Sequence, residues 1–179
     1  MNESASIQLS GDSFASALIS GIHRVIDGQE LLNQINVFPV PDGDTGTNLS
    51  LSLGAALPVL QQSDEKHLGT LLAAVADALL DGARGNSGAI MAQFFQGMSD
   101  SAGDLSRFTP YTFAKAVTMG NDYAHDAMSN PKEGTILSVI DAFAASINHH
   151  RENTADGSFA TLVRKALEQA ETALAETQE

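Results

Sequence analysis

Apolar residues recur every three to four positions along almost the whole chain, the spacing that gathers them on one face of a helix, and no run alternates as a strand does. Phe14, Ala17, Leu18, Ile22 and Val25 share one face of a first helix that Asp12 can cap and Asp27-Gly28 ends. A short helix through Leu31 and Leu32 follows. Leu49, Leu53, Leu57 and Leu60 predict a single helix, with Pro58 bending its last turn. Leu68 to Leu80 form an alanine-rich helix with little polar face, which is expected to be well buried. Asp81 to Gly85 break it, and Ile90, Met91, Phe94, Phe95 and Met98 face one side of the next. Thr109-Pro110 places a cap before a proline at the first helical position, starting a helix to about Met128 that Asn130-Pro131 ends. Ile136, Val139, Ile140, Phe143 and Ile147 carry a further helix, and Phe159, Leu162, Val163, Ala166, Leu167 and Ala170 the last. The expected architecture is all-α, a barrel or bundle of seven or eight antiparallel amphipathic helices.

At 179 residues the chain suits one domain with a sizeable core. Its 22 acidic against 9 basic residues, a formal net charge of -13, argue against nucleic acid and anionic membrane surfaces as partners. The same balance suits a protein that handles anions through a bound cation. With no cysteine, disulfides, thiol nucleophiles and zinc-thiolate sites are excluded. Met1-Asn2-Glu3-Ser4 lacks the basic and apolar regions of a signal peptide, and no apolar run reaches the roughly 18 residues of a membrane span. A cytoplasmic location is the expectation. Residues 148–158 read as a solvated loop, with His149-His150 at a solvated helix end, and the histidines show no metal-ligand spacing.

Three segments carry candidate chemistry, each ahead of a helix. In the first, Asn36 to Asn48, prolines at 39 and 41 stiffen an approach in which Asp42 and Asp44 flank a glycine. Paired hard oxygen ligands suit Mg²⁺, which takes one or two carboxylates plus phosphate oxygens. Gly46-Thr47-Asn48 then open a helix whose free N–H groups and positive dipole end favour phosphate. A plain Asx-turn also accounts for one aspartate, so metal site and structural turn stand side by side. An EF-hand does not fit, since its sixth and twelfth places hold Thr47 and Leu53. The second segment is Gly85-Asn86-Ser87-Gly88, where Asn86 or Ser87 can cap the helix or donate to phosphate. The third is Pro131-Lys132-Glu133-Gly134-Thr135, which taken alone reads as a capped helix start before it reads as a phosphate site. Arg84 and Lys132 are scarce cations near these turns and read as surface charges.

Together, Asn36 to Asn48, Gly82 to Gly88 and Pro131 to Leu137 closely resemble the nucleotide-binding L domain of the dihydroxyacetone kinase superfamily. Within it the chain is most similar to the N-terminal domain of bacterial fatty acid kinases, over about residues 10 to 175. The resemblance implies a barrel of antiparallel helices with ATP or ADP and two Mg²⁺ ions at one end. Carried over by motif position, Asp42 and Asp44 ligate metal, with Asn36 near a third ligand position. Thr45, Gly46, Thr47 and Asn48 lie near the phosphates or their metals, and Asn86, Ser87 and Gly88 form a phosphate-holding loop. Dihydroxyacetone kinase domains have a histidine after the acidic pair, where this chain has Thr45. That departure favours the fatty acid kinase branch, in which a DegV-type lipid-binding domain or protein presents the acyl carboxylate. A dihydroxyacetone kinase subunit served by a phosphocarrier protein and a non-catalytic nucleotide-sensing module are the alternatives. The glycine-containing loop that closes such domains is not found before Glu179, so the chain, one domain over 1–179, is expected to be the N-terminal part of a longer protein.

Overall fold

The computed structural model describes residues 8–37, 41–62, 67–151 and 158–177. Among them nine helices form: α1 (Gly11–Asp27), α2 (Gln29–Ile35), α3 (Thr45–Gly54), α4 (Leu57–Gln62), α5 (Leu68–Gly82), α6 (Gly85–Ala102), α7 (Pro110–Asp126), α8 (Ile136–His150) and α9 (Phe159–Glu176). The all-α expectation holds. The run from Leu49 to Leu60 divides at Ala55-Ala56 into α3 and α4, so that Pro58 falls in a first turn, where its missing N–H interrupts no helical bond. Counted as the one run the sequence predicts, these two leave eight helices. One strand pair was not foreseen: β1 (Leu9–Ser10) lies antiparallel to β2 (Arg107–Phe108), with Leu9 opposite Phe108. Two residues per strand are too few for alternation to register.

Cap chemistry sets the helix ends. Ser10, not Asp12, caps α1, its Oγ accepting the Ser13 N–H at 3.2 Å. Asp12 already stands inside the first turn, where its charge complements the helix dipole. Thr109 caps α7 in a reciprocal box with Thr112, and Pro110 follows at the first position, as expected. That helix stops at Asp126, short of Asn130-Pro131. Of the expected loop at 148–158, Asn148 to His150 complete α8. Its residues 152–157, like Met1 to Ser4, lie outside the described residues.

The core is built mainly by α5 to α9. Leu68, Leu72, Val75 and Leu79 of α5 are buried, whereas Ala73, Ala74 and Leu80 on its outer face are exposed, so only one face of this alanine-rich helix is covered. The closest pairs are α6 with α7 and α8 with α9. Phe108, fully buried, meets Phe14 and Phe113 edge to face at 6.2 and 5.4 Å, and Phe113 meets Phe159 at 5.7 Å. This chain of rings joins α1, α7 and α9 through β2, a geometry that adds to the burial of each ring. On α9 only the row Leu162, Ala166 and Ala170 is buried. Val163 and Leu167, expected on the core face, are 37% and 52% exposed. No helix among the described residues is long and apolar enough to cross a membrane.

Candidate functional site

Three helix entrances far apart in sequence meet at one cleft of about 880 Å³. The loop before α3 contributes Asn36, Asp42, Asp44, Thr45 and Asn48 to its wall. The mouth of α6 contributes Gly85, Asn86 and Ser87, and the segment before α8 contributes Pro131, Lys132, Gly134 and Thr135. The lining also includes apolar residues, among them Leu32, Ile35 and Val37 from α2 and its exit, Ile136 and Val139 from α8, and Leu174 from α9. The sequence assigned none of these apolar residues to the site. Among the motif residues, Phe38 to Val40 lie outside the described residues.

Local geometry explains the glycines. Gly43, Gly85 and Gly134 adopt positive φ (66°, 60° and 73°), which L side chains rarely tolerate. A side chain on Gly85 would also collide with the Asn48 amide, so this glycine lets the α3 and α6 entrances touch.

Asp42 and Asp44 are both exposed at the cleft, and the Asn36 Nδ2 donates to Asp42 Oδ1 at 2.6 Å. Asp44 is the N-cap residue of α3, yet its side chain makes no capping bond. Asn33 of α2 makes that bond instead: its Oδ1 accepts the Thr47 N–H at 3.0 Å and its Nδ2 donates to Thr47 Oγ1 at 3.0 Å. Thr47, Gly46 and Gly88, all named from sequence as nucleotide residues, are therefore not on the cleft wall. Gly46 is buried against Gln29 of α2, and Gly88 against the Ser52 hydroxyl of α3. Ser52, buried, accepts the Arg84 N–H at 2.8 Å and so ties α3 to the entrance of α6.

The mouth of α6 has no side-chain cap: neither Asn86 nor Ser87 fills that role, and the N-cap residue, Arg84, turns its guanidinium to the Ala83 carbonyl. Ser87 Oγ is buried at the cleft wall without a hydrogen-bond partner among the described residues. An orphaned hydroxyl beside an uncapped helix start offers a ready set of donors to an anion's oxygens. Lys132 lines the cleft as its basic side chain, whereas Arg84 does not.

No group of three or more His, Cys, Asp or Glu among the described residues is arranged to hold a metal. Asp42 and Asp44 supply two exposed carboxylates at the cleft, within the one or two that Mg²⁺ takes from protein when phosphate and water complete its shell. A second, small cavity of about 90 Å³ shares Pro131, Lys132 and Leu137 with the cleft; in its wall His125 Nε2 stands 2.9 Å from Asp141 Oδ1, an oxygen that also accepts from Asn121 at 2.8 Å.

The three glycine-bearing helix starts around one cleft in an all-α bundle agree with the family the chain matches, one of kinase-associated nucleotide-binding domains. The chain belongs to the DAK2 domain family, whose model matches residues 39–179, and domains of this family bind ADP or ATP. It is 36% identical over 171 residues to protein YloV of Bacillus subtilis, which covers 96% of this chain and 31% of YloV. It is 35% identical over 170 residues to protein SSP1546 of Staphylococcus saprophyticus, covering 95% of this chain and 30% of that protein. Protein SAUSA300_1119 of Staphylococcus aureus is 34% identical over 149 residues, covering 83% of this chain and 27% of that relative. The chain therefore spans about a third of the length of these curated relatives.

Proposed function

We propose that this chain binds ATP with Mg²⁺ in the cleft and serves phosphoryl transfer to a fatty acid carboxylate presented by a DegV-type lipid-binding domain or protein. The observation that carries the reading is the convergence of the three motif segments on one cleft, whose lining holds Asp42 and Asp44 together with apolar side chains. Asp42 and Asp44, with Asn36 beside them, are the residues that would hold the cation. Bound Mg²⁺ supplies neutralisation of phosphate charge. Asn36 orients the Asp42 carboxylate through the amide bond already described. Ser87 Oγ and the N–H groups of the first turn of α6 take phosphate oxygens. The apolar lining takes the base and keeps water from it.

In the transfer, an oxygen of the acyl carboxylate bonds to the γ-phosphorus while the bond to the β–γ bridging oxygen breaks, giving an acyl phosphate and ADP. The carboxylate arrives ionised, so no protein base is required, and the work is positioning and electrostatic stabilisation. Thr45, in the place of the histidine of dihydroxyacetone kinase domains, agrees with an acceptor of this kind.

The chain incubated with ATP, Mg²⁺ and a fatty-acid-loaded DegV-type protein, with hydroxylamine as a trap, is expected to yield acyl hydroxamate and ADP in equal amounts. Nucleotide binding with no acyl product would refute the acceptor assignment and leave a nucleotide-sensing module.

A further inference from the structure

Aspartate at an N-cap ordinarily spends its carboxylate on the N–H groups of the second or third helical residue. Asp44 occupies that position on α3, with its carbonyl accepting the Asn48 N–H at 2.8 Å, but its carboxylate makes no capping bond. The third-residue N–H, that of Thr47, is taken by Asn33 from a different helix. The amide orientation is fixed by chemistry: only the oxygen of Asn33 can accept the Thr47 N–H, which leaves the nitrogen for Thr47 Oγ1. Gly46 is what permits so close an approach, since a Cβ there would collide with the Gln29 carbonyl and stand 2.9 Å from Asn33 Oδ1.

We propose that Asn33 is a positioning residue for the metal: by capping α3 from α2 it supplies the cap that Asp44 does not make. Asp44, with a backbone at φ -116° and ψ -1° instead of the extended form of an ordinary N-cap, thus keeps that conformation with its carboxylate free for the cleft. The inference rests on the reading of Asp44 as a metal ligand. Asn33 is absent from the cleft wall, so its effect passes through Thr47 and Asp44. Its neighbour in role is Asn36, which holds the other carboxylate. Two amides carried by α2 and its exit thus set both aspartates of the acidic loop, one by occupying a rival partner and the other by direct contact. If Asn33 is removed, the Thr47 N–H loses its acceptor, and Asp44, the residue at the N-cap position, can replace it by turning its backbone to the extended form of an ordinary N-cap, which draws its carboxylate onto the helix.

The test is calorimetry on the whole chain with ADP, with and without Mg²⁺, for wild type, Asn33→Ala, Asn33→Asp and Asp44→Asn, and for Asn33→Ala combined with Asp44→Asn. Asn33→Ala is expected to weaken Mg²⁺-dependent ADP binding on the order of 10–100-fold, the cost usual for losing a group that orients a metal ligand. Metal-free ADP binding should be unchanged, which a general loss of structure would not allow. Asn33→Asp keeps the acceptor for the Thr47 N–H, and the Thr47 hydroxyl can turn to donate, so most of the affinity should return. In the Asp44→Asn background, Asn33→Ala should cost almost nothing more. Equal Mg²⁺-dependent affinity in wild type and Asn33→Ala would overturn the proposal while leaving the nucleotide site intact. Equal losses with and without metal, or in both Asp44 backgrounds, would overturn it too. A wild-type chain that binds no Mg²⁺–ADP would instead count against the functional reading itself. Should Asn33→Ala unfold, the contrast between wild type and Asn33→Asp decides: a large Mg²⁺-dependent loss in the folded Asn33→Asp chain would overturn the proposal, and near-equal affinity would support it.

Discussion

Ser87 and Tyr123 show how single side chains can separate binding from stability. Ser87 Oγ is buried with no partner among the described residues, so Ser87→Ala removes no bond among them. The folded chain should be as stable as wild type within about 1 kcal/mol, because deleting an unsatisfied hydroxyl carries no pairing loss. Nucleotide affinity should nevertheless fall roughly tenfold or more, since a hydrogen bond to a charged group contributes about 1.5–3 kcal/mol. Parallel melting and ADP titration check both halves, and a destabilised variant with full affinity would contradict the assignment. Tyr123, far from this chemistry, donates to Asp100 Oδ2 at 2.8 Å, and that bond, aided by the carboxylate's charge, raises its pKa. A raised phenol pKa means the contribution is present below the unfolded pKa of about 10 and lost as pH climbs through the folded value. In a Tyr111→Phe background the remaining phenol should ionise above the ordinary tyrosine range, and Asp100→Asn should bring it back, as followed by ultraviolet titration. The aspartates, Asn86 and Ser87 were legible in the sequence because turn residues and acidic pairs stand out locally. Asn33 and Ser52 were not, because their partners lie 14 and 32 residues away and nothing in the local pattern marks them.

Helix α6 lies against α7 more extensively than any other pair, and glycines set how near the two come. A Cβ on Gly97 would stand 2.5 Å from the Met119 carbonyl oxygen, and one on Gly120 2.7 Å from that of Phe94. Both obstacles are backbone, so the helices would have to separate. Gly97→Ala and Gly120→Ala should each destabilise by about 1–3 kcal/mol despite alanine's better helix propensity. Gly21, in the exposed middle of α1 with nothing within 4 Å of a would-be Cβ, should behave oppositely. Gly21→Ala is expected to stabilise by about 0.5–1 kcal/mol. Denaturant melts of the three variants test the contrast, and stabilisation by all three would contradict the packing account. Periodicity revealed most elements because helices follow a local rule. It mistook the width of the α9 stripe, where Val163 and Leu167 are exposed, since apolar character alone does not say how much of a face is covered.

Across the whole molecule, an excess of 13 negative charges surrounds a cleft proposed to take a polyanion. Lys132 is the basic residue on the cleft wall, so in the proposed reading the uncapped start of α6 and the bound cation supply most of the attraction. The convergence of three segments separated by dozens of residues is a property of the fold, and no local pattern announces it; only the order of the motifs hinted at a shared site. The bundle brings α3, α6 and α8 entrances to one end, and the same packing supplies the apolar lining from α2, α8 and α9.

The most direct measurement is calorimetry of ADP binding, with and without Mg²⁺, for the wild-type chain beside Asp42→Ala, with circular dichroism of both. The account predicts tight binding only when Mg²⁺ is present, loss of that metal-dependent gain in Asp42→Ala, and the same helical spectrum for the two proteins. Binding by the variant that is as tight and as metal-dependent as wild type would contradict it, as would a folded wild-type chain that takes no nucleotide.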